Sequence, residues 1–193
     1  VRMGRLEGIP VRILRIGFVG ELGYEIHAPS AQAEALWDAL IEAGAESGIR
    51  PFAVEAQRVL RLEKGHIIVG QDTDGLTNPL EADMGWALGR RKPYYVGKRS
   101  IDIAASKGNT RKLVGYGLTN SDGPVPEEGH LVIRGGDIVG RVTSSARSPT
   151  LGRAIGLGYV APDQAGTGQI FNIKAHGGRM LQAEVMPLPF YDP

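Results

Sequence analysis

From 11 to 18 apolar and polar side chains alternate, with Leu14, Ile16 and Phe18 on one face. Residues 24–28 alternate again after the turn Val19-Gly20-Glu21-Leu22-Gly23. A period of two, read twice across a glycine turn, predicts a β-hairpin. Pro29-Ser30 ends it, and Ser30 is placed to N-cap a helix whose apolar residues Ala33, Leu36, Trp37, Leu40 and Ile41 recur at spacings of three and four. Gly44 weakens the last turn of that helix and Gly48 stops it. A second helix is expected over 53–64, with Val54, Leu60 and Leu62 as apolar contacts and Gly65 as its stop.

Between 66 and 100 the pattern is broken. Residues 79–83 read as one helical turn, Gly85-Trp86-Ala87-Leu88-Gly89 as a strand, and 97–107 as a short basic helix that ends at Gly108. From Lys112 onward the helical period disappears. Six short apolar runs, 113–118, 130–134, 138–144, 154–160, 169–175 and 180–185, are separated by Gly, Pro, Asp and Asn. Gly135-Gly136-Asp137 and His176-Gly177-Gly178 carry hairpin-turn chemistry. Six short strands predict a small closed barrel or jelly roll. The fold class is α+β, with an α+β domain over 1–108 and a β-barrel domain over 109–193.

Composition narrows the function. The 193 residues carry 22 Lys+Arg against 21 Asp+Glu, a net charge of +1, which excludes a polybasic nucleic-acid or membrane module. There is no cysteine, so disulfides, thiolate nucleophiles, Cys-ligated zinc and iron–sulfur clusters are excluded together. No apolar run reaches the ~18 residues of a membrane span, the first residues form no signal-peptide pattern, and the expectation is a cytoplasmic protein. The 28 glycines are about twice the usual share and imply many tight turns.

Candidate chemistry is sparse. Gly115-Tyr116-Gly117 and Gly166-Thr167-Gly168 match no P-loop or dinucleotide fingerprint and read as turns. Ser144, Ser145 and Ser148 lack a Gly-x-Ser-x-Gly elbow. His27, His66, His130 and His176 are scattered with no i, i+4 pair, so no metal site is expected. Asp72, Asp74, Glu81 and Asp83 lack EF-hand spacing and read as turn caps. Arg90-Arg91-Lys92 reads as a solvated basic loop, Trp86 as a core residue, and the run from Arg58 to Lys64, with Glu55 three residues before Arg58, as helix-surface ion pairing. Glu25, between Tyr24 and Ile26, faces away from those two and reads as a solvent-side acid.

The order of several motifs is more specific than any one of them. Gly20-Glu21-Leu22-Gly23-Tyr24-Glu25-Ile26, Leu60-Arg61-Leu62-Glu63-Lys64-Gly65, Gly70-Gln71-Asp72-Thr73-Asp74, Asn78-Pro79-Leu80-Glu81-Ala82 and Gly85-Trp86 follow one another. Gly140-Arg141-Val142-Thr143-Ser144-Ser145, Ser148-Pro149-Thr150-Leu151-Gly152 and Leu188-Pro189-Phe190-Tyr191 complete the series. This series resembles the glycine cleavage system T-protein (aminomethyltransferase) family over nearly the whole chain. The resemblance implies a partly ferredoxin-like folate-binding region followed by a β-barrel. It also implies transfer of a one-carbon unit from an aminomethyl or iminium donor to tetrahydrofolate.

By the same resemblance Glu25 takes the place of the acid that bonds the pterin's amino-pyrimidine edge, and Phe18 and Trp86 match aromatic positions of the pocket. Gln57 stands where the family carries an arginine expected to meet the carboxylate side of folate. Arg58, one residue on, is rotated by about 100° on a helix. A glutamine there fits relatives fused to flavin-dependent sarcosine or dimethylglycine oxidoreductases. A lipoyl carrier protein or a flavoprotein is the implied partner. The family is about twice this length and its catalytic aspartate precedes every motif found, so the chain is expected to be a C-terminal portion, inactive alone. The remaining alternative is a folate-binding or interaction module without transfer chemistry. Lys64-Gly65-His66-Ile67-Ile68-Val69-Gly70-Gln71 is also similar to the signature of a folate-binding iron–sulfur-assembly relative, with His66 where that protein has cysteine.

Overall fold

Ile9, Val11 and Ile13 occupy every second position of one strand and turn to the same side, where they meet Leu36 and Leu40 of a helix. In the computed structural model, which describes residues 1–89 and 91–192, this strand is the middle of an antiparallel three-stranded sheet. The sheet runs β1 (Arg2–Leu6), β2 (Ile9–Arg15), β3 (Tyr24–His27), with Ile13 opposite Ile26 and Leu14 opposite Glu25. The expected hairpin is β2 and β3. Its buried face is the reverse of the one predicted: Ile9 and Val11 are buried, whereas Ile16 lies beyond the strand and is exposed. Strand β1 was not expected, because Arg2, Gly4 and Arg5 interrupt its apolar period. It is joined to β2 by Glu7 and Gly8, both at positive φ as a tight twisted hairpin turn requires.

Helix α1 (Ala33–Gly44) covers the inner face. Ser30 does not cap it. Ser30 opens a short 3-10 turn (Ser30–Gln32), and α1 begins after Gln32 with no side-chain cap. Helix α2 (Val54–Glu63) ends at Gly65, whose φ of 75° lets Gly65 N–H reach Leu62 O and His66 N–H reach Arg61 O. These two bonds satisfy the last carbonyls of the helix as a Schellman motif does. The chain divides into two compact units, Val1–Leu60 and Arg61–Pro193.

In the second unit Asn78 caps a single helical turn by accepting the N–H groups of Leu80 and Glu81. Gly85–Ala87 is a 3-10 turn, where a strand was expected. The basic helix is α3 (Lys98–Lys107), stopped at Gly108. Of the basic triplet, Arg90 lies outside the described residues. No helix among the described residues is long and apolar enough to cross a membrane.

Six strands then close into an antiparallel barrel: β4 (Lys112–Leu118), β5 (Leu131–Arg134), β6 (Asp137–Ser148), β7 (Arg153–Val160), β8 (Ile170–Lys174) and β9 (Met180–Met186). Their order around the barrel is β4-β7-β6-β5-β8-β9, with β9 returning to β4, so no edge is left open. Tyr116 and Phe171 meet edge-to-face at 5.6 Å inside it, among Val132, Val142, Ile173 and Val185. Gly115 and Gly117 lie in β4, as the apolar run 113–118 predicts, and not in the turn that Gly115-Tyr116-Gly117 suggests by itself. A β-carbon at Gly115 would lie 2.6 Å from Leu188, so the glycine makes room for the closing segment of the chain.

Candidate functional site

The residues singled out for folate stand as follows. Glu25 lies on β3, on the sheet face opposite the core, with its side chain 55% exposed and Oε2 3.3 Å from His27 Nε2. Its expected solvent-side position holds. Phe18 is half-buried in the segment between β2 and β3. Gln57 and Arg58 are exposed on α2, where Arg58 Nη1 lies 3.5 Å from Glu55. Trp86, in the second unit, is 77% exposed on its 3-10 turn, so it is no core residue of the described chain.

The charges at the end of α2 behave differently from their predicted surface pairing. Arg61 is 3% exposed and Asp72 is fully buried, and they pair at 2.8 Å. Arg61 also donates to His66 O at 2.9 Å and to Ser144 Oγ at 2.7 Å. The carboxylate of Asp72 accepts four bonds. Oδ2 takes Arg61 and the Ile68 N–H, and Oδ1 takes the hydroxyls of Thr143 at 2.6 Å and Ser144 at 2.5 Å.

Neighbouring strand residues normally point to opposite faces. Here the register of β6 against β7 slips between Val142 and Ser144, and Thr143 is the extra residue of a β-bulge that lets both hydroxyls reach one oxygen. Glu63 is anchored in the same way, by Ser148 Oγ at 2.5 Å and Thr150 Oγ1 at 3.1 Å, while its carbonyl accepts the Tyr191 N–H. Three of the charged motif residues are thus committed to holding the α2 terminus and the following loop on the barrel.

Asp74 is the charged centre of a more open cluster. Its Oδ1 accepts the Thr77 hydroxyl at 2.7 Å and the Leu76 N–H, and its oxygens pair with Arg111 at 3.5 Å and Arg141 at 2.9 Å. The Thr77 hydroxyl first, then the Leu76 N–H, and with them the Arg111 charge, hold its carboxyl well below the usual carboxylate range. Arg111 also lies 4.6 Å over the ring of Tyr159, a buried phenol whose pKa burial pushes up. A cavity of about 220 Å³ opens beside Gln71, Asp74, Glu128, Arg141 and Thr143. Its walls offer fixed, mostly compensated charges suited to a small polar group. A second hollow of about 360 Å³ is lined by Leu80, Asp83, Gly85, Asn109 and Lys112, next to the turn that carries Trp86.

The sequence reading missed the Arg61–Asp72–Ser144 network, because charges on a helix read as solvated. The only signal was the adjacent hydroxyls Thr143-Ser144-Ser145 inside an apolar strand. It also missed that His130 and His176, far apart in sequence, have ring centroids 4.9 Å apart.

Two domain families match the chain in order: the GCVT N-terminal domain over residues 1–92 and the glycine cleavage T-protein C-terminal barrel domain over 111–192. An aminomethyltransferase of Halothermothrix orenii is 41% identical over 187 residues, covering 97% of this chain and 52% of that protein. One from Desulforamulus reducens is 36% identical over 188 residues, covering 97% and 51%. Among solved structures, glycine cleavage system aminomethyltransferase T from Bartonella henselae superposes with a TM-score of 0.84 at 28% identity, covering 93% of this chain and 49% of that one. The chain spans about half the length of the curated relatives it matches.

Proposed function

The chain belongs to the glycine cleavage T-protein family, and from that membership we propose that it supplies folate-binding and barrel portions of a tetrahydrofolate-dependent aminomethyltransferase. The observation that carries this reading is the ordered match of both domain families along one chain. In it, residues 1–108 belong to the folate-binding domain and 109–193 form the barrel domain. The one-carbon unit comes from an aminomethyl or iminium donor, delivered by a lipoyl carrier or a flavoprotein.

Glu25 bonds the amino-pyrimidine edge of the pterin. A carboxylate suits this task because it accepts two parallel N–H bonds, and His27 occupies only one side of it. Phe18 and Trp86 pack their rings on the flat parts of the ligand. The large exposed indole of Trp86 supports this, since such a surface is stabilised by a flat aromatic partner. Gln57 and Arg58 serve the carboxylate side, Gln57 as a neutral donor in the place of an arginine. Their contribution is positioning, which converts a bimolecular encounter into an oriented one.

A tryptophan-fluorescence titration with tetrahydrofolate tests the reading. Wild-type chain gives a saturable change, and Trp86→Phe abolishes most of it while leaving the signal of Trp37, the other tryptophan. A wild-type chain without a saturable signal contradicts it.

A further inference from the structure

Two turns meet at one end of the barrel. The residues before β5 form a turn from Glu127 to His130, closed by His130 N–H to Glu127 O at 3.1 Å, and those after β8 form the turn His176–Gly178. Because β5 and β8 are hydrogen-bonded neighbours, with Leu131 opposite Lys174, the two turns are brought side by side. Glu127, His130 and His176 converge there, each offering one ligand atom, and these atoms all lie within 4.8 Å of one another. Glu127 Oε2 is 3.1 Å from His176 Nε2. The His130 and His176 rings meet edge-to-face at 83°.

We propose that Glu127, His130 and His176 form a binding site for a divalent transition-metal cation of the zinc type. Two imidazoles and one carboxylate make a nitrogen-rich set, which selects zinc and its transition-metal neighbours over magnesium or calcium. Zinc–ligand bonds of ~2.0–2.2 Å place ligand atoms roughly 3.5 Å apart around a tetrahedral ion. The cluster reaches that spacing by small rotations of His176 and Glu127, both exposed side chains. Three protein ligands leave the fourth position to water.

The state of His130 is a second, independent pointer. Its Nδ1 accepts the Glu127 N–H at 3.0 Å, so the neutral ring carries its proton on Nε2, and Nε2 is buried without a hydrogen-bond partner. A buried donor with no acceptor is costly. Moving the proton to Nδ1 frees the Nε2 lone pair for a cation. The protonated Nδ1 then faces the Glu127 N–H, so the turn opens enough for water to accept from both donors, which the exposure of Glu127 allows. The metal thus replaces an orphaned polar atom by a bond.

Equilibrium dialysis of the untagged, chelator-treated chain against zinc tests the site, with cobalt as an optical probe of the ligand field. One zinc per chain is expected, unaffected by excess magnesium. His130→Ala, His176→Ala and Glu127→Gln each weaken binding by at least about tenfold, the lower end of what even outer-shell changes cost, whereas His27→Ala leaves it unchanged. His176→Ala is decisive because that side chain is 78% exposed in a turn, so its removal leaves the barrel folded. Absence of saturable zinc uptake by the wild-type chain, or wild-type affinity in His176→Ala, overturns the proposal.

Discussion

Asp72 illustrates how a buried charge is made tolerable. Its four accepted hydrogen bonds occupy all the lone-pair directions a carboxylate offers, and a bulge supplies two of the donors. Asp72→Asn removes the charge that compensates Arg61 and is expected to cost about 3 kcal/mol, read as a lower urea midpoint. Asp74 behaves differently because it is partly solvated. Its folded pKa is depressed, so its stabilisation is present above the unfolded carboxylate value and is lost as pH falls toward the folded one. Urea midpoints of wild type and Asp74→Asn therefore differ at pH 7 and converge as the solution is acidified below the ordinary carboxylate range. Gln57→Arg restores a cation at a proposed folate contact and is expected to tighten tetrahydrofolate binding several-fold, measured by titration, since a charge-assisted bond is about twice as strong as a neutral one. None of the buried partners of Arg61 was legible in sequence. A helix surface is inferred from charge, and here Arg61 pairs with Asp72, beyond the end of the helix, while both reach hydroxyls of β6 more than 70 positions away.

At the scale of elements, the barrel strands and α3 were legible because glycine turns bracket them. The turn chemistry at Gly135-Gly136 and the stop at Gly108 are local properties that no tertiary contact needs to supply. Strand β1 and the turn at Gly85–Ala87 were not. The first is held by pairing to β2 and carries little apolar period of its own, and the second has an apolar composition that suits either a strand or a turn. Gly156 was visible only as composition, but its place in β7 explains it: a β-carbon there would lie 2.4 Å from both Ser144 O and the Tyr116 ring. Gly156→Ala is expected to destabilise the barrel by about 1–3 kcal/mol through forced displacement of Tyr116, seen as a lower Tm with the fold retained.

For the whole molecule, the order of motifs carried more information than periodicity or composition. Periodicity yields an α+β region and a barrel, whereas a folate-dependent transfer enters only through the series that ends at Leu188-Pro189-Phe190-Tyr191. The structure explains why parts of that series go together. The motif containing Glu63 and the motif containing Ser148 and Thr150 share one buried bond network, and Phe190 packs with Leu62 and Tyr159. Other motif positions, Glu25 and Trp86 above all, have no such structural role in the described chain and are left exposed. That contrast is what the folate assignment accounts for. Calorimetric titration of the chain and of Glu25→Gln with tetrahydrofolate tests it most directly, because Glu25 is exposed enough for the substitution to leave the fold intact. The account predicts saturable binding that Glu25→Gln weakens at least about tenfold, as loss of a charge-assisted bond implies. Equal affinity in the two proteins would contradict it.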